Sequence, residues 1–279
     1  MTRPIYPCLW FDNQAKAAAK FYCSVFGNSR IISESSIAVQ FEIEGKKIMG
    51  LDGGPMFKIN PSISLMVTCQ SDKEIEGIWC RLLEGGTAMM PLDKYPWSVK
   101  YGWVVDQFGM TWQLMLGELP IDGQKIIPSL LFVGDRCGDA HQAIQYYTSI
   151  FHDSGIGYLE LCGDGEEQPK GNVKFGRFSL NHAQFAAMDG PGNHEFDFNE
   201  GVSFVVECDT QEEIDFFWDS LTRGGSEVQC GWLRDKYGIS WQIIPEIMGS
   251  LMSDPEKGGR VMQEVMKMKK LDISSMLNA

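Results

Sequence analysis

The sequence predicts an α+β protein of two tandem domains, each made of two β-α-β-β-β units, with a helix at the C-terminus. The first observation is a repeated stretch: residues 102–115 read GWVVDQFGMTWQLM, and residues 231–244 read GWLRDKYGISWQII. The second is a constant spacing between the halves, because Trp79 lies 139 residues before Trp218. A chain of 279 residues is also long enough for two domains of ordinary size.

The first unit is predicted from strand and helix signals in turn. Residues 5–11 are apolar and β-prone, which favours a strand. Apolar residues at helical spacing follow over 15–26, and Gly27 predicts the end of this helix. Asp12 and Asn13 are residue types that cap a helix, so we expect one of them to cap its N-terminus. Three short strands are predicted next, near 30–36, 38–44 and 46–52.

The second unit repeats this order. Residues 63–69 are predicted as a strand, and Ser71 and Glu74 form a capping box at the start of the next helix. Gly85 and Gly86 predict the end of that helix. Further strands are predicted near 87–90, 100–106 and 111–116.

The second half repeats the first, with a helix over 140–151 and a second capping box at Thr210 and Glu213. The offset between the halves falls from 139 to 129 residues between Gly86 and Gly102. The first half therefore carries ten extra residues there, around Tyr95-Pro96-Trp97. Because this insertion can form a lid over one cleft only, we expect the two clefts to differ.

These repeats predict domain boundaries as follows: residues 1–118 form the first domain, 119–126 the linker, 127–248 the second domain and 249–279 a helical tail. The linker prediction rests on the polar, Gly- and Pro-containing stretch GELPIDGQK. Asp254 and Pro255 favour a helix start in the tail, and its apolar face is predicted to pack on the second domain.

The composition excludes some classes of partner. The net charge is 24 − 37 = −13, whereas nucleic acids and anionic membranes need a cationic surface. The eight cysteines show neither Cys-x-x-Cys pairs nor zinc spacing with histidine, so we expect free thiols in a reducing cytoplasm. No apolar stretch approaches the length of a membrane span, and the N-terminal residues do not have the pattern of a signal peptide.

Several stretches carry a family resemblance. In the second half they are FAAMDGPG (185–192), FNEGVSFVVECDTQEEIDFFWDSL (198–221), QCGWLRDKYGISWQIIP (229–245) and VMQEVMKMKKLDI (261–273). In the first half they are the more divergent FDNQAKAAAKFY (11–22), YPWSVKYGWVVDQFG (95–109) and TWQLM (111–115). With the duplicated units, they resemble the PhnB-like branch of the vicinal oxygen chelate superfamily, often labelled 3-demethylubiquinone-9 3-methyltransferase. That superfamily includes glyoxalase I, extradiol dioxygenases and bleomycin-resistance proteins.

The resemblance implies two tandem glyoxalase-like domains, in each of which two units form an open barrel around a cleft. Catalytic members of the superfamily bind a divalent metal there, through residues of the first strands and a carboxylate on the last strand. In this chain Gln113 and Gln242 occupy the carboxylate positions. The first-strand positions fall at Pro7, Ser64, Ser129 and Ser203. Because such neutral groups hold a transition metal poorly, we expect no metal and no other cofactor.

Two sets of residues are candidates for the clefts. The ligand-binding candidates are Gln113, Gln242, Trp103, Trp232, Trp97, Ser64 and Ser203. The glutamines either bind a ligand or satisfy the barrel's own backbone, and the tryptophans either line the clefts or pack in the core. Asp52 and Asp189, each followed by glycine, are candidate catalytic bases, although Asp-Gly is also a common turn pair.

Three functions follow as hypotheses, and the residues leave open whether the protein is an enzyme. The first is metal-independent binding of a small apolar or aromatic metabolite in the clefts. The second is lyase or isomerase chemistry of the glyoxalase type with an aspartate base. The third is the methyltransferase of the family label, for which no Gly-rich cofactor motif is present. The expected partner is a small molecule, and the chain is either a monomer with pseudo-dimeric domains or a homodimer.

Overall fold

The computed structural model describes residues 3–120 and 122–279, so Met1, Thr2 and Ile121 of the predicted domain ranges lie outside the described residues. Both units of the first half have the predicted β-α-β-β-β order. The first unit comprises β1 (Tyr6–Phe11), α1 (Ala15–Val25), β2 (Ser29–Glu34), β3 (Ala38–Ile43) and β4 (Lys46–Asp52). The second comprises β5 (Ile63–Cys69), α2 (Asp72–Leu83), β6 (Thr87–Tyr95), β7 (Ser98–Val105) and β8 (Thr111–Leu116).

The second half repeats this order. Its first unit comprises β9 (Ile126–Phe132), a 3-10 helix (Gly134–Arg136), α3 (Ala140–Ile150), β10 (Gly155–Leu161), β11 (Val173–Leu180) and β12 (Ala183–Asp189). Its second comprises β13 (Val202–Cys208), α4 (Gln211–Thr222), β14 (Ser226–Glu227), β15 (Trp232–Arg234) and β16 (Ser240–Pro245). The tail forms three short helices in place of one: α5 (Met248–Ser253), α6 (Gly258–Val265) and α7 (Ile273–Leu277).

The strands form two mixed sheets, and each sheet takes one unit from each half of the chain. Sheet A has the order β14-β15-β16-β13-β1-β4-β3-β2, and sheet B has the order β10-β11-β12-β9-β5-β8-β7-β6. The first unit thus pairs with the fourth, and the second with the third. The tandem repeat of the unit is confirmed. The family resemblance implied that the two units of one half form one barrel, whereas in the structure they lie in different sheets.

A short linker explains this pairing. Strand β8 lies beside β5 and ends at the same edge of the sheet, where Gly117 donates a backbone hydrogen bond to Cys69. The chain has only to cross the end of β5, a distance of about 10 Å, to enter β9 on the other side. Lys125 accepts a hydrogen bond from Thr68 as the linker arrives, and β9 then runs antiparallel to β5. The second and third units are thereby neighbours in sheet B, and the first and fourth units pair in sheet A.

Helices α2 and α4 begin at the predicted capping boxes. The Ser71 hydroxyl accepts the backbone N–H of Glu74 at 3.3 Å, and Thr210 does the same for Glu213 at 3.3 Å. Each glutamate reaches back to the backbone N–H one residue before the cap, at Gln70 and Asp209. These bonds satisfy N–H groups that have no partner within the helix.

Removing either cap is expected to weaken the protein slightly. Ser71→Ala and Thr210→Ala should each lower the free energy of unfolding by about 1 kcal/mol, because each leaves one backbone N–H without its acceptor. Urea unfolding measures this loss. Ser36→Ala, at an exposed loop serine, is the control and should change stability by less than about 0.5 kcal/mol. Equal effects in all three variants would contradict the capping role.

The start of α1 differs from the prediction, because neither Asp12 nor Asn13 caps it. The cap position is Gln14, whose side chain makes no capping bond. The Asp52 carboxylate at the end of β4 accepts the backbone N–H of Ala15 at 2.8 Å instead. A residue remote in sequence thus supplies the acceptor, which a local capping pattern does not reveal.

The repeated Gly-Trp stretch is a hairpin fixed by a buried aspartate. Asp235 accepts the backbone N–H groups of Tyr237 and Ile239 through Oδ1. Its Oδ2 accepts the Trp241 indole N–H at 2.8 Å and the Tyr147 hydroxyl at 2.7 Å. In the first half, Asp106 likewise accepts the backbone N–H groups of residues 108 and 110 and the indole N–H of residue 112. Both copies of the repeat therefore contain a hairpin that is fixed by a buried aspartate.

The tail completes sheet A where the second half lacks the ten-residue insertion. In sheet B, β6 supplies Leu92, whose Cα lies 3.1 Å from where a Cβ on Gly102 would stand. The equivalent Gly231 meets Leu271 of the tail instead, at 3.0 Å. Backbone N–H groups of residues 230 and 231 donate to the carbonyls of residues 268 and 269. The tail thus packs on the second half as predicted, at the position where β6 extends beyond the length of its short counterpart β14.

Leu271 should therefore be a main anchor of the tail. Its side chain is fully buried, so Leu271→Ala is expected to lower the free energy of unfolding by about 3 kcal/mol. Chemical denaturation gives the value, with Leu277→Ala as the control at an exposed tail leucine. If both variants were equally stable, the tail would not be packed as described.

Candidate functional site

Each sheet has one face covered by helices and one face turned away from them. In sheet B the second face carries a separate apolar cluster of Met66, Ile127 and Ala186, with Phe175 and Met188 beside it. We call this face cleft B. In sheet A the matching cluster consists of Tyr6, Cys8 and Val205, with Met49, Leu51 and Ile244 beside it. We call that face cleft A.

The floor of cleft B is a chain of hydrogen bonds centred on Gln113. The Gln113 amide donates to the Ser64 hydroxyl at 2.6 Å, and its carbonyl oxygen accepts the Tyr101 hydroxyl at 2.8 Å. All three residues are buried. Strands β5 and β8 run side by side, which brings Ser64 and Gln113 onto the same face. Both ends of the Gln113 amide are thus already bonded.

Three buried polar atoms near this floor have no partner among the described residues. They are the Ser129 hydroxyl, the Trp103 indole nitrogen and Nε of Arg177. Ser129 lies directly opposite Ser64 across β5 and β9, and Trp103 lies opposite Gln113 across β7 and β8. A buried donor without an acceptor is costly, so an acceptor that reached these atoms would be favoured.

The insertion forms an aromatic hairpin at the edge of cleft B. Tyr95 and Trp97 stack with ring centroids 5.1 Å apart, and both rings contact Tyr101 edge-on. Trp97 is 61% exposed, whereas Tyr101 is buried and holds Gln113. The predicted lid residue Trp97 therefore connects to the floor through Tyr101.

The floor of cleft A also contains a glutamine bonded to a serine, but the residue opposite that serine is different. The Gln242 amide donates to the Ser203 hydroxyl at 2.9 Å. The residue opposite Ser203 is Cys8, because Pro7 pairs with Phe204 and points towards the helices. The predicted first-strand position is thus wrong by one residue, and a shift of one along a strand changes the face.

The second candidate tryptophan, Trp232, lies at the wall of cleft A. It contacts Trp10 edge-on, with ring centroids 5.9 Å apart. Two buried polar atoms here also lack a partner among the described residues, the Ser240 hydroxyl and Nε of Arg234. Burial raises the pKa of the Cys8 thiol to about 12, against the opposing hydrogen bonds of Gln242 and Ser203, so Cys8 remains a neutral thiol.

The two candidate bases lie on the wrong face for cleft chemistry. Asp52 pairs with Phe11, and Asp189 pairs with Phe132, both core residues on the helix side of their sheets. Asp189 accepts backbone N–H groups of residues 138, 140 and 173, the shortest at 2.6 Å. These contacts anchor loops and helix starts, and they correct the general-base prediction in favour of a structural role.

The donor set of neither cleft fits a transition metal. A divalent site needs several deprotonated or imidazole ligands, whereas cleft B offers serine hydroxyls and an amide whose oxygen already accepts a hydrogen bond. The floor of cleft A contributes the neutral Cys8 thiol, and the Glu207 carboxylate on the same face is already bonded to Tyr6 and Lys47. In the described part of the chain, no group of three or more His, Cys, Asp or Glu side chains is placed to hold a metal ion.

Sequence reasoning missed two residues of these floors, Tyr101 and Cys8. The signal for Tyr101 was its position two residues before Trp103 on one strand, since residues i and i+2 share a face. The signal for Cys8 was the alternation along β1, in which Leu9 and Phe11 are core residues and Cys8 must face the other way.

Comparison with known proteins gives the class of fold. Glyoxalase I from Zea mays aligns over 87% of this chain and 92% of its own, with a TM-score of 0.57 at 9% identity. A mutant form of the maize enzyme aligns over the same shares, with a TM-score of 0.59 at 11% identity. The fold is therefore a tandem glyoxalase-like α+β fold.

Sequence similarity gives the family. The model of the 3-demethylubiquinone-9 3-methyltransferase family matches residues 3–115 and again 124–244, and the chain belongs to this family. A PhnB protein from Bacillus cereus that carries the same methyltransferase description is 32% identical over 40% of this chain and 98% of its own, with a TM-score of 0.38. No protein with curated annotation matches the chain significantly.

Proposed function

We propose that cleft B binds a small, flat, largely apolar molecule that carries a hydrogen-bond acceptor, without a metal. The observation that carries this proposal is the pair of unpartnered buried atoms, the Trp103 indole nitrogen and the Ser129 hydroxyl, on an otherwise apolar face. An acceptor such as a carbonyl oxygen would satisfy these donors.

The cleft B wall suits such a ligand. Met66 and Met188 are flexible, polarisable side chains that adapt to the faces of aromatic rings. Phe175 and Trp103 add aromatic surface on strands β11 and β7. The fixed Gln113 amide keeps the floor in one arrangement, so little ordering is needed on binding.

Methyl transfer, as the family description has it, receives less support. A nucleotide cofactor is commonly held at a Gly-rich turn between a strand and a helix of a parallel sheet, whereas sheets A and B are mixed and built from β-α-β-β-β units. The quinone in that description is nevertheless a flat ring with carbonyl acceptors, which is the chemistry that cleft B would take.

Both halves contribute to each sheet, which supports a site that is completed within one chain. In the described residues no helix is long and apolar enough to cross a bilayer. All eight cysteines are free thiols, which supports a reducing cytoplasmic setting as part of the proposal.

Coumarin, a flat probe with a carbonyl acceptor, tests the proposal, with naphthalene as the probe that lacks the acceptor. Coumarin affinity should fall about tenfold in Trp103→Phe and in Ser129→Ala, because each variant loses one buried hydrogen bond. Fluorescence titration in the presence of EDTA measures the coumarin affinity. The matched variants Trp232→Phe and Ser240→Ala in cleft A should leave the affinity unchanged.

Four outcomes would contradict the proposal. Coumarin could fail to bind, it could bind no better than naphthalene, or its binding could require added metal. Equal losses from the cleft A and cleft B variants would also place the ligand elsewhere.

A further inference from the structure

A cavity of about 600 Å³ lies beside the linker; it shares Tyr6 with cleft A but is lined by neither Gln113 nor Gln242. Its apolar wall is formed by Ile5, Tyr6 and Ile126, at the start of the central strands β1 and β9. A volume of this size is in the range of small-molecule sites. We call it the linker cavity.

Two of the cations that line the linker cavity are neutralised by the protein itself. The Lys47 ammonium lies 2.8 Å from Oε1 of Glu207, which also accepts the Tyr6 hydroxyl. The Arg3 guanidinium lies 2.9 Å from Oε1 of Glu246. These groups have their counter-ions and need no ligand.

Lys46 differs from both. Only 8% of this residue is exposed, yet its side chain has no ion pair and no hydrogen bond among the described residues. Its ammonium lies 6.0 Å from the centre of the Phe185 ring. Burial lowers the pKa of Lys46 to about 8, against the opposing charge of Asp122 on the cavity rim. An ammonium on a largely buried side chain without an ion pair is costly, and an anion beside it would offset that cost.

We propose that the linker cavity is a binding site for a small organic monoanion, a carboxylate with an apolar body, for which Lys46 is the counter-ion. One unpaired cation calls for one negative charge. A multiply charged anion such as phosphate would meet the carboxylates of Glu44, Asp122 and Glu207, which also line the cavity. The walls formed by Ile5 and Ile126 would cover the apolar body.

Benzoate is the probe for this site, and benzamide is its uncharged isostere. Benzoate should raise the melting temperature of the full-length protein, and benzamide should not. The affinity for benzoate should fall about tenfold or more in Lys46→Met, which keeps the length of the side chain and removes the charge. Lys20→Met, at an exposed lysine outside the cavity, is the control and should leave the benzoate affinity unchanged.

A second measurement follows Lys46 directly. Reductive methylation with ¹³C-formaldehyde labels its amine, and Lys46→Met assigns the signal in NMR spectra. Benzoate should shift the pH titration of this signal upward, because a bound carboxylate favours the ammonium form. An unchanged titration, no stabilisation by benzoate, or equal benzoate affinity in Lys46→Met would each overturn the proposal, whatever is found for cleft B.

Discussion

Replacing Asp235 by alanine should lower the free energy of unfolding by about 4 kcal/mol, more than any other single change considered. The carboxylate is 2% exposed and accepts four hydrogen bonds, from two backbone N–H groups, the Trp241 indole and the Tyr147 hydroxyl. Alanine leaves these four buried donors without an acceptor, and each such loss costs about 1 kcal/mol or more.

Urea unfolding measures this loss of stability. The variant Tyr147→Phe separates the contribution of the Tyr147 hydrogen bond from that of the other three. That variant removes a single donor and should cost only about 1 kcal/mol, because the carboxylate keeps its other three bonds. Asp219→Ala, at an exposed helix residue whose ion pair with Lys270 spans 3.3 Å, is the surface control. If Asp235→Ala costs no more than Asp219→Ala, the aspartate does not hold the hairpin.

Replacing Lys46 by methionine should stabilise the ligand-free protein by about 3 kcal/mol at neutral pH. The pKa of Lys46 is about 8 in the folded protein and 10.5 ordinarily, so folding disfavours its protonated form. The gap between these values corresponds to about 3 kcal/mol. The cost is fully present below pH 8 and disappears as the pH rises through 10.5, where the amine is neutral in both states.

The difference in unfolding free energy between Lys46→Met and the unaltered protein tests this expectation. It should be large at pH 7 and small above pH 10.5. Lys47→Met should show no gain, because Lys47 is paired with Glu207. A variant less stable than the unaltered protein at pH 7 would show that Lys46 has a counter-ion after all.

Local patterns in the sequence were enough to predict the units. The capping boxes at Ser71 and Thr210, the strand at 63–69 and the doubled Gly-Trp hairpin are all present as expected. Each depends on residues that are close together in the chain, where spacing translates directly into geometry.

The pairing of units depends on long-range contacts and could not be predicted in the same way. The first strands that meet are β5 with β9 and β1 with β13, and no local pattern encodes these pairs. The contacts of the two aspartates in the Asp-Gly pairs could not be predicted for the same reason. Asp52 and Asp189 accept backbone N–H groups of residues far away in sequence, which only the folded chain brings close.

The candidate site was predicted in part. Gln113, Ser64 and Trp103 do lie together in cleft B, and Gln242 and Ser203 meet in cleft A. The sequence does not show which polar atoms already have a hydrogen-bond partner in the folded protein. Only the structure separates Gln113, whose amide nitrogen and oxygen each have a partner, from Trp103 and Ser129, whose buried donors have none among the described residues.

The indole N–H of Trp103 tests the central claim, ligand binding in cleft B without a metal, most directly. Among the eight tryptophans, Trp103→Phe assigns its signal in ¹⁵N-labelled protein. Adding coumarin in the presence of EDTA should shift this signal, because a hydrogen bond forms at a donor that lacks one in the free protein. The account would be contradicted if the Trp103 signal stayed in place, or if it moved only after a divalent metal was added.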